Sequence, residues 1–342
     1  MGGLNDPITF NWSTTGPKTI TVTAANIKGE VSDTHSLCIA YGNDGFIKEV
    51  RSLDTNDGGL PNPAGISYSF NTNRFYIITP ASTNSTSTTI AVMTPYETVI
   101  GSLTINSSQV NPINIAFDDR AKRLLVMDTG ANQLISIVAE ATNGLLDPGA
   151  ITRFEIGALG LQQPQGMIVD AEGGALFILD SEALEIVRVE PNDQGSFEAT
   201  TAINEGRVSR LNIGAIGSTQ IHGLALNPTN KHLLLLSPAE QKMYQLNQSG
   251  QIITTLDLSS FSLIDPQGLV FGFSGDPTDN PAKINLYIAD TGFAPQNHFV
   301  YLPLIINNRA TTIQARPSSI QSYLPVPLGR VMEFRLASAA CD

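Results

Sequence analysis

The sequence is poor in charge, in cysteine and in tryptophan. Only 15% of its 342 residues are charged, and it contains two cysteines and one tryptophan. The net charge is −12 and no Lys/Arg cluster occurs, so we predict no nucleic-acid partner, because phosphate binding needs a basic surface. No apolar run of about 18 residues is present, and no segment is therefore predicted to span a membrane.

What the sequence does contain is one unit in five copies. Each copy begins with Pro/Ile-x-Gly/Asn and continues as a short apolar strand. A second aliphatic run follows, and it ends at Asp, Thr or Ser. The copies begin at Pro63, Pro112, Pro164, Ile221 and Pro266, which are 45 to 57 residues apart. We call the Gly/Asn position of the copies the glycine column. The distance from this column to the closing residue is 14 residues in four copies and 22 in the fifth, where the extra residues lie in 275–281. A repeat of this length built only from strands predicts an all-β β-propeller.

The number of blades depends on how the two ends of the chain are used. Residues 37–41 and 46–53 match the third and fourth strands of a blade, so the N-terminal strands are predicted to close the ring. Closure of this kind leaves no free sheet edge at the seam. We favour six blades, with five as the alternative if residues 329–336 belong to the fifth copy.

Two segments resemble the signature of NHL-repeat propellers, as does the Pro-x-Gly opening. They are Val126–Leu134 and Leu286–Gly292, within a similarity that covers residues 36–342. Copies three and four depart from it, with Ser181-Glu182 and Ser237-Pro238 where Thr-Gly would stand. The resemblance implies four-stranded blades and, most often, a binding role. Some relatives of similar architecture are hydrolases, lyases or lactonases, but no subfamily matches residue by residue, so the catalytic residues stay unknown.

The N-terminal stretch, residues 1–35, resembles the last strands of a PKD or immunoglobulin-like surface domain. The matching residues are Thr19–Asn26 and Ser32–His35. A whole sandwich needs about 100 residues, so the front half is missing. Residues 1–7 lack the regions of a signal peptide, which fits either a protein that stays inside the cell or a piece of a longer secreted chain. We expect the second: an extracellular or cell-surface location.

The candidate ligand-binding residues stand at the start of the inner strands. His222 directly precedes Gly223, and an imidazole at a channel mouth can act as a base or a ligand. Gln165 and Gln267 occupy the same position in their copies, and Asn114 replaces the glycine in the second copy. These four residues are predicted to face the mouth of the channel.

Three aspartates share the closing position of the second strand: Asp128, Asp180 and Asp290. Their carboxylates would converge on a cation such as calcium if they pointed to the axis. Alternatively, each accepts backbone N–H groups of the following turn. We favour the second interpretation and therefore expect no cofactor, with calcium as the alternative.

The two cysteines, Cys38 and Cys341, lie near opposite ends of the chain. If the ends meet in one closing blade, a disulfide between them would join the ends of the ring, which requires an oxidising compartment. Two free thiols are the alternative.

Two functions fit this pattern. The first is a monomeric, non-catalytic binding module of a secreted or cell-surface protein, which presents loops to a protein or glycan partner. The alternative is a propeller hydrolase or lyase with a divalent cation in the central channel. A mouth with at least three converging acid or His side chains would favour the enzyme, whereas Gln, Ala and aliphatic groups would favour the binding module.

Overall fold

Five four-stranded antiparallel sheets form a closed ring. The structure, a computed structural model, describes residues 16–39, 46–55, 60, 62–79, 87–106, 110–292 and 329–337. Each sheet is one blade, and the innermost strand of every blade contacts the innermost strands of both neighbouring blades. The predicted all-β propeller is therefore confirmed.

Apart from one strand, the blades are built in chain order after an N-terminal hairpin. The hairpin consists of β1 (Gly16–Asn26) and β2 (Gly29–Ile39). The next strand, β3 (Phe46–Asp54), is the exception and belongs to the last blade. The first blade comprises β4 (Gly65–Ser69), β5 (Arg74–Ile78), β6 (Ser87–Met93) and β7 (Val99–Asn106). The second comprises β8 (Val110–Asp118), β9 (Arg123–Asp128), β10 (Gln133–Ala139) and β11 (Leu146–Glu155).

The third blade comprises β12 (Pro164–Val169), β13 (Leu176–Asp180), β14 (Glu185–Val189) and β15 (Val208–Asn212). The fourth comprises β16 (His222–Leu226), β17 (Leu233–Ser237), β18 (Lys242–Leu246) and β19 (Ile252–Asp257). The fifth comprises β20 (Pro266–Phe273), β21 (Ile284–Asp290), β22 (Arg330–Ala337) and β3. A short helix, α1 (Ala199–Asn204), lies between β14 and β15, and single 3-10 turns cover 157–159, 214–216, 238–240 and 259–261.

The prediction of six blades is wrong, and the alternative of five is correct. β22 lies between β21 and β3, with Glu333 opposite Arg51, so the C-terminal strand completes the fifth blade. The N-terminal strand β3 then forms only the outermost strand of the fifth blade. Ring closure by an N-terminal strand is confirmed, because one sheet contains both ends of the described ring.

Residues 37–39, expected in the closing blade, belong instead to β2, which pairs with β1 along its whole length. Eleven paired residues on β1 hold them in this hairpin. The predicted boundary between residues 35 and 36 falls inside β2. The predicted disulfide is untested, because Cys341 lies outside the described residues, and the PKD- or immunoglobulin-like origin of the hairpin stays a prediction.

Hydrophobic side chains fill the space between neighbouring blades. Five clusters of buried aliphatic and aromatic residues occur in the described part of the chain, each shared by two adjacent blades. In the cluster of blades one and two, Tyr76 stacks on Phe117 with ring centroids 4.6 Å apart. Because both sides of each sheet are covered, the second strands are apolar on both faces, as in Arg123–Asp128.

The ring has two faces that matter for function. We call the face where the inner strands begin the upstream face and the face where they end the downstream face. Strand alternation places the turns after the inner strands and the loops between third and fourth strands on the downstream face. The long connections 140–145 and 190–207 and the insertion 274–283 therefore share that face.

Candidate functional site

The inner strands approach each other so closely that glycine is required near the upstream face. A Cβ on Gly166 would lie 2.7 Å from the backbone nitrogen of Leu224, and a Cβ on Gly268 would lie 2.5 Å from the carbonyl oxygen of Ala64. A Cβ on Gly223 would likewise lie 2.6 Å from the carbonyl oxygen of Gln267. At this level the inner strands of blades three, four and five therefore leave no room for a side chain beside the next blade.

His222 begins β16 and stands at the upstream mouth. Its side chain is half-buried, and its Nδ1 is buried without a hydrogen-bond partner among the described residues. Burial lowers the pKa of His222, against the opposing effects of the Asp265 carboxylate and of a hydrogen bond between the imidazole and the Gln267 side chain. The imidazole is consequently held toward its neutral form, which accepts and donates one hydrogen bond each.

The other predicted mouth residues differ in exposure. Gln165 and Gln267 are partly exposed, and the amide of Gln267 donates to Asp265 Oδ1 at 2.5 Å. Asn114 is fully buried, and its Nδ2 donates to the carbonyl oxygen of Pro164 at 2.9 Å. The asparagine thus links the inner strands of blades two and three, and the ligand role of all four residues stays a prediction.

The three equivalent aspartates hydrogen-bond to backbone N–H groups. Asp180 Oδ2 accepts from Gln162 N at 2.7 Å, and its Oδ1 accepts from Gln163 N at 3.0 Å. Asp290 accepts in the same way from the backbone before β20, with Asp265 N at 2.8 Å. Asp128 Oδ1 accepts from the N–H of Ala131 in the following turn at 3.1 Å. Two of the carboxylates therefore fix the segments that lead into inner strands.

A second feature lies on the axis near the downstream face. It is a cavity of about 40 Å³ to which all five blades contribute. Its lining includes the residues five positions after the glycine column in four copies, namely Phe70, Asp119, Ala171 and Pro228. The fifth copy has Phe273 at this position, which packs edge-on against Phe70 at 5.3 Å between centroids. Asp119 is thus the one charged residue of an otherwise apolar set.

Asp119 is 7% exposed and accepts hydrogen bonds from neutral donors. Ser69 Oγ donates to Oδ1 at 2.6 Å, and the backbone N–H of Phe70 donates to Oδ2 at 2.9 Å. Burial raises the pKa of Asp119 above its usual range, while these hydrogen bonds act in the opposite direction. The carboxylate also holds the first blade to the second, because both donors belong to the first blade.

Asp170 and Lys231 form an ion pair at the rim of the same cavity. Lys231 Nζ lies 2.9 Å from Asp170 Oδ1 and 2.9 Å from Glu172 Oε2. Although burial opposes it, the hydrogen bond from Lys231 lowers the pKa of Asp170. The pair connects blades three and four across the downstream face.

Sequence reasoning missed this cavity because its residues come from five distant segments. A signal was nevertheless present: Asp119 is polar at a position where the other copies carry Phe, Ala, Pro and Phe. Among the described residues no group of three or more His, Cys, Asp or Glu side chains is arranged to hold a metal ion. In the same part of the chain no helix is long and apolar enough to cross a membrane.

Known proteins resemble this chain in structure but not in sequence. No protein family matches the sequence, and no curated protein matches it either. A structure of the nidogen/laminin complex is similar at 15% identity and a TM-score of 0.41, covering 67% of this chain and 73% of that one. The tail fiber of Staphylococcus aureus phage P68 is similar at 14% identity and a TM-score of 0.49, covering 86% of this chain and 53% of the fiber.

A catalytically inactive virginiamycin B lyase from Staphylococcus aureus, solved with quinupristin, is also similar. It shares 15% identity at a TM-score of 0.39, with 82% of this chain and 94% of the lyase covered. These identities and scores carry no argument about function. The fold assignment rests on the sheet order of the chain itself, and the NHL resemblance stays a prediction.

Proposed function

We propose that this chain is a non-catalytic binding module of a secreted or cell-surface protein and that its downstream face meets a protein or glycan partner. A rigid ring with variable loops on one face is a common arrangement for recognition. The connections 140–145 and 190–207 supply such loops, and Tyr96, which is 60% exposed, lies in the neighbouring connection of the first blade. Exposed aromatic residues are frequent anchors of binding surfaces.

The observation that carries this proposal is the use of the acidic residues at the upstream mouth. Asp180 and Asp290 accept backbone N–H groups of their own blades. What remains around that mouth is Gln165, Gln267, the Asp265 carboxylate that accepts from Gln267, and His222, whose pKa is lowered by burial. Asp265 and His222 are two acid or His side chains, fewer than the three that would favour the enzyme. Neutral amides recognise ligands by hydrogen bonding, whereas acid–base or metal chemistry needs converging charged groups. This composition supports the binding module over the hydrolase or lyase.

The test uses the purified chain on a sensor surface against a panel of oligosaccharides and purified secreted proteins. We expect at least one saturable interaction that Tyr96→Ala weakens about tenfold or more, as anchor residues do. Glu182→Ala is the matched control, because Glu182 is exposed in a turn on the upstream face. Equal loss in both variants would contradict the assignment of the downstream face.

The same preparation tests the enzyme alternative. We expect the thermal unfolding midpoint to stay unchanged when calcium or a chelator is added, because a bound cation would stabilise the folded chain in proportion to its affinity. A calcium-dependent rise of several degrees, together with metal in the purified protein, would favour the propeller hydrolase or lyase.

A further inference from the structure

Apart from the Asp170–Lys231 ion pair at its rim, the downstream cavity combines one buried carboxylate with apolar walls. Asp119 shares its position with Phe70, Ala171, Pro228 and Phe273, so a single negative charge is set among aromatic and aliphatic groups. Aromatic faces attract cations, and a carboxylate attracts them more strongly where water is scarce. The electrostatic preference of this wall of the cavity is therefore for a positive group.

No basic side chain of the described residues lies within 4.0 Å of the Asp119 carboxylate. Its hydrogen bonds come from the Ser69 hydroxyl and from the backbone N–H groups of Phe70 and Asn71. Hydrogen bonds to a carboxylate favour the ionised form, but neutral donors do not cancel its charge. A buried carboxylate without a cationic partner is costly, and a cation that reaches it gains the interaction that the fold leaves unmade.

The chain itself shows how an ammonium group fits at this rim. Lys231 extends its ammonium to Asp170 and Glu172, at 2.9 Å from each. That lysine is engaged with the outer carboxylates and leaves Asp119 to a second cation. The cavity of about 40 Å³ has room for about three water molecules, and thus for an alkyl chain rather than a sugar ring.

Access to the cavity is from the downstream face. On the other side the inner strands meet backbone to backbone, at Gly166 and Gly268 among others. A ligand that enters from this face end-on presents its charged end to Asp119, with its stem beside Phe70. A linear primary amine satisfies this geometry.

We propose that the downstream cavity binds a primary alkylammonium group, with Asp119 as the carboxylate that receives it. The source is either a lysine side chain of a protein partner or a free aliphatic amine. A lysine as the source rests on the proposed function, which brings a partner to this face, whereas ammonium binding itself depends only on the cavity.

The experiment is an NMR titration of the purified full chain with n-butylammonium chloride, with n-butanol as the neutral isostere. We expect saturable binding of the ammonium and at least tenfold weaker binding of the alcohol. Asp119→Asn keeps the shape of the side chain and is expected to weaken ammonium binding at least tenfold. Asp193→Asn, which removes an exposed acid outside the cavity, is expected to bind like the original chain.

Ala171→Leu provides a second variant that keeps every charge and narrows the rim, and it is also expected to weaken binding. If circular dichroism shows that Asp119→Asn is unfolded, the Ala171→Leu variant tests the proposal in its place. No saturable binding to the original chain, or unchanged binding by both cavity variants, would overturn the proposal. Binding of Nα-acetyl-lysine-N-methylamide alongside butylammonium assigns the site to lysine side chains, and binding of butylammonium alone assigns it to a free amine.

This titration needs no partner. A negative result would leave the Tyr96 comparison unaffected, and a failure of the partner panel would leave ammonium binding intact. The two proposals therefore fail separately.

Discussion

At the scale of single residues, burial decides what the titratable groups of this chain do. His222 and Asp119 lie near opposite faces of the ring, and both are shifted toward their neutral forms by burial. They differ in partners, since Asp119 has three hydrogen-bond donors while His222 Nδ1 has no partner among the described residues. Burial thus acts on a carboxylate with three hydrogen-bond donors in one case and on an imidazole with an unpartnered Nδ1 in the other.

The lowered pKa of His222 makes stability depend on pH. The folded chain binds the His222 proton less well than the unfolded chain, whose value is near 6.5. The stabilisation is therefore present above that pH and is lost as the pH falls through 6.5 toward the folded value. We expect the free energy of unfolding to decline as the pH falls below 6.5, and His222→Gln to reduce this decline.

Urea unfolding at several pH values measures the effect. His35→Gln is the control, because His35 is exposed on the hairpin and should leave the decline unchanged. If His222→Gln shows the same slope as the original chain, burial of this imidazole contributes nothing to the pH dependence.

At the scale of elements, the inner strands tolerate substitution of their glycines least. Gly223 combines a φ of +61° with a Cβ position only 2.6 Å from the carbonyl oxygen of Gln267. The positive φ disfavours other residues, and the short distance would push β16 away from β20. Both effects act at the start of the strand that carries His222, so the geometry of the upstream mouth depends on this glycine.

Gly223→Ala is expected to destabilise the chain by about 3 kcal/mol, from left-handed strain plus overpacking. Gly160→Ala is the matched variant, since Gly160 has a nearly equal φ of +64° and open space around its Cβ position. Its expected cost is about 1 kcal/mol, from the strain alone. Chemical denaturation of both variants gives the comparison, and equal costs would show that the close strand approach is not limiting.

At the scale of the whole molecule, the ring is held shut by a buried charge network at its seam. Glu333 of β22 is fully buried and accepts from Arg51 Nε of β3 at 2.6 Å and from Asn285 Nδ2 at 2.6 Å. Arg51 also donates to the carbonyl oxygen of Pro95 in the first blade. One arginine therefore links the two ends of the described ring to the neighbouring blade.

Arg51→Met is expected to cost about 3–5 kcal/mol, because it leaves the Glu333 carboxylate buried without its cation. The double variant Arg51→Met/Glu333→Met should cost less than the sum of the single changes, which a double-mutant cycle by chemical denaturation measures. Lys242→Ala, which breaks a partly exposed ion pair with Glu240, should cost less than about 1 kcal/mol. Additive effects of the Arg51 and Glu333 changes would show that the pair does not act as a unit.

The sequence repeat predicts the inner strands and their pairing partners. Constant spacing from the glycine column to Asp128 and Asp180 places each inner strand and its partner, because a strand pair of fixed length needs a fixed number of residues. The insertion at 275–281 was likewise readable from the surplus in the fifth copy, and it lies in the connection between β20 and β21. Turn chemistry, which is local, accounts for the bond from Ala131 N to Asp128. Asp180 and Asp290 instead accept from backbone N–H groups 17 to 26 residues earlier in the chain, which the turn pattern did not predict.

The sequence by itself therefore determined the all-β class, the repeating strands and the use of an N-terminal strand to close the ring, since spacing and alternation are properties of neighbouring residues. Only the tertiary structure decided that β22 and β3 complete a fifth blade instead of building a sixth. It alone also brought Asp119, Phe70 and Ala171 together around one cavity. Contacts between residues about 50 to 280 positions apart depend on how blades pack around a common axis, and no local pattern encodes that packing.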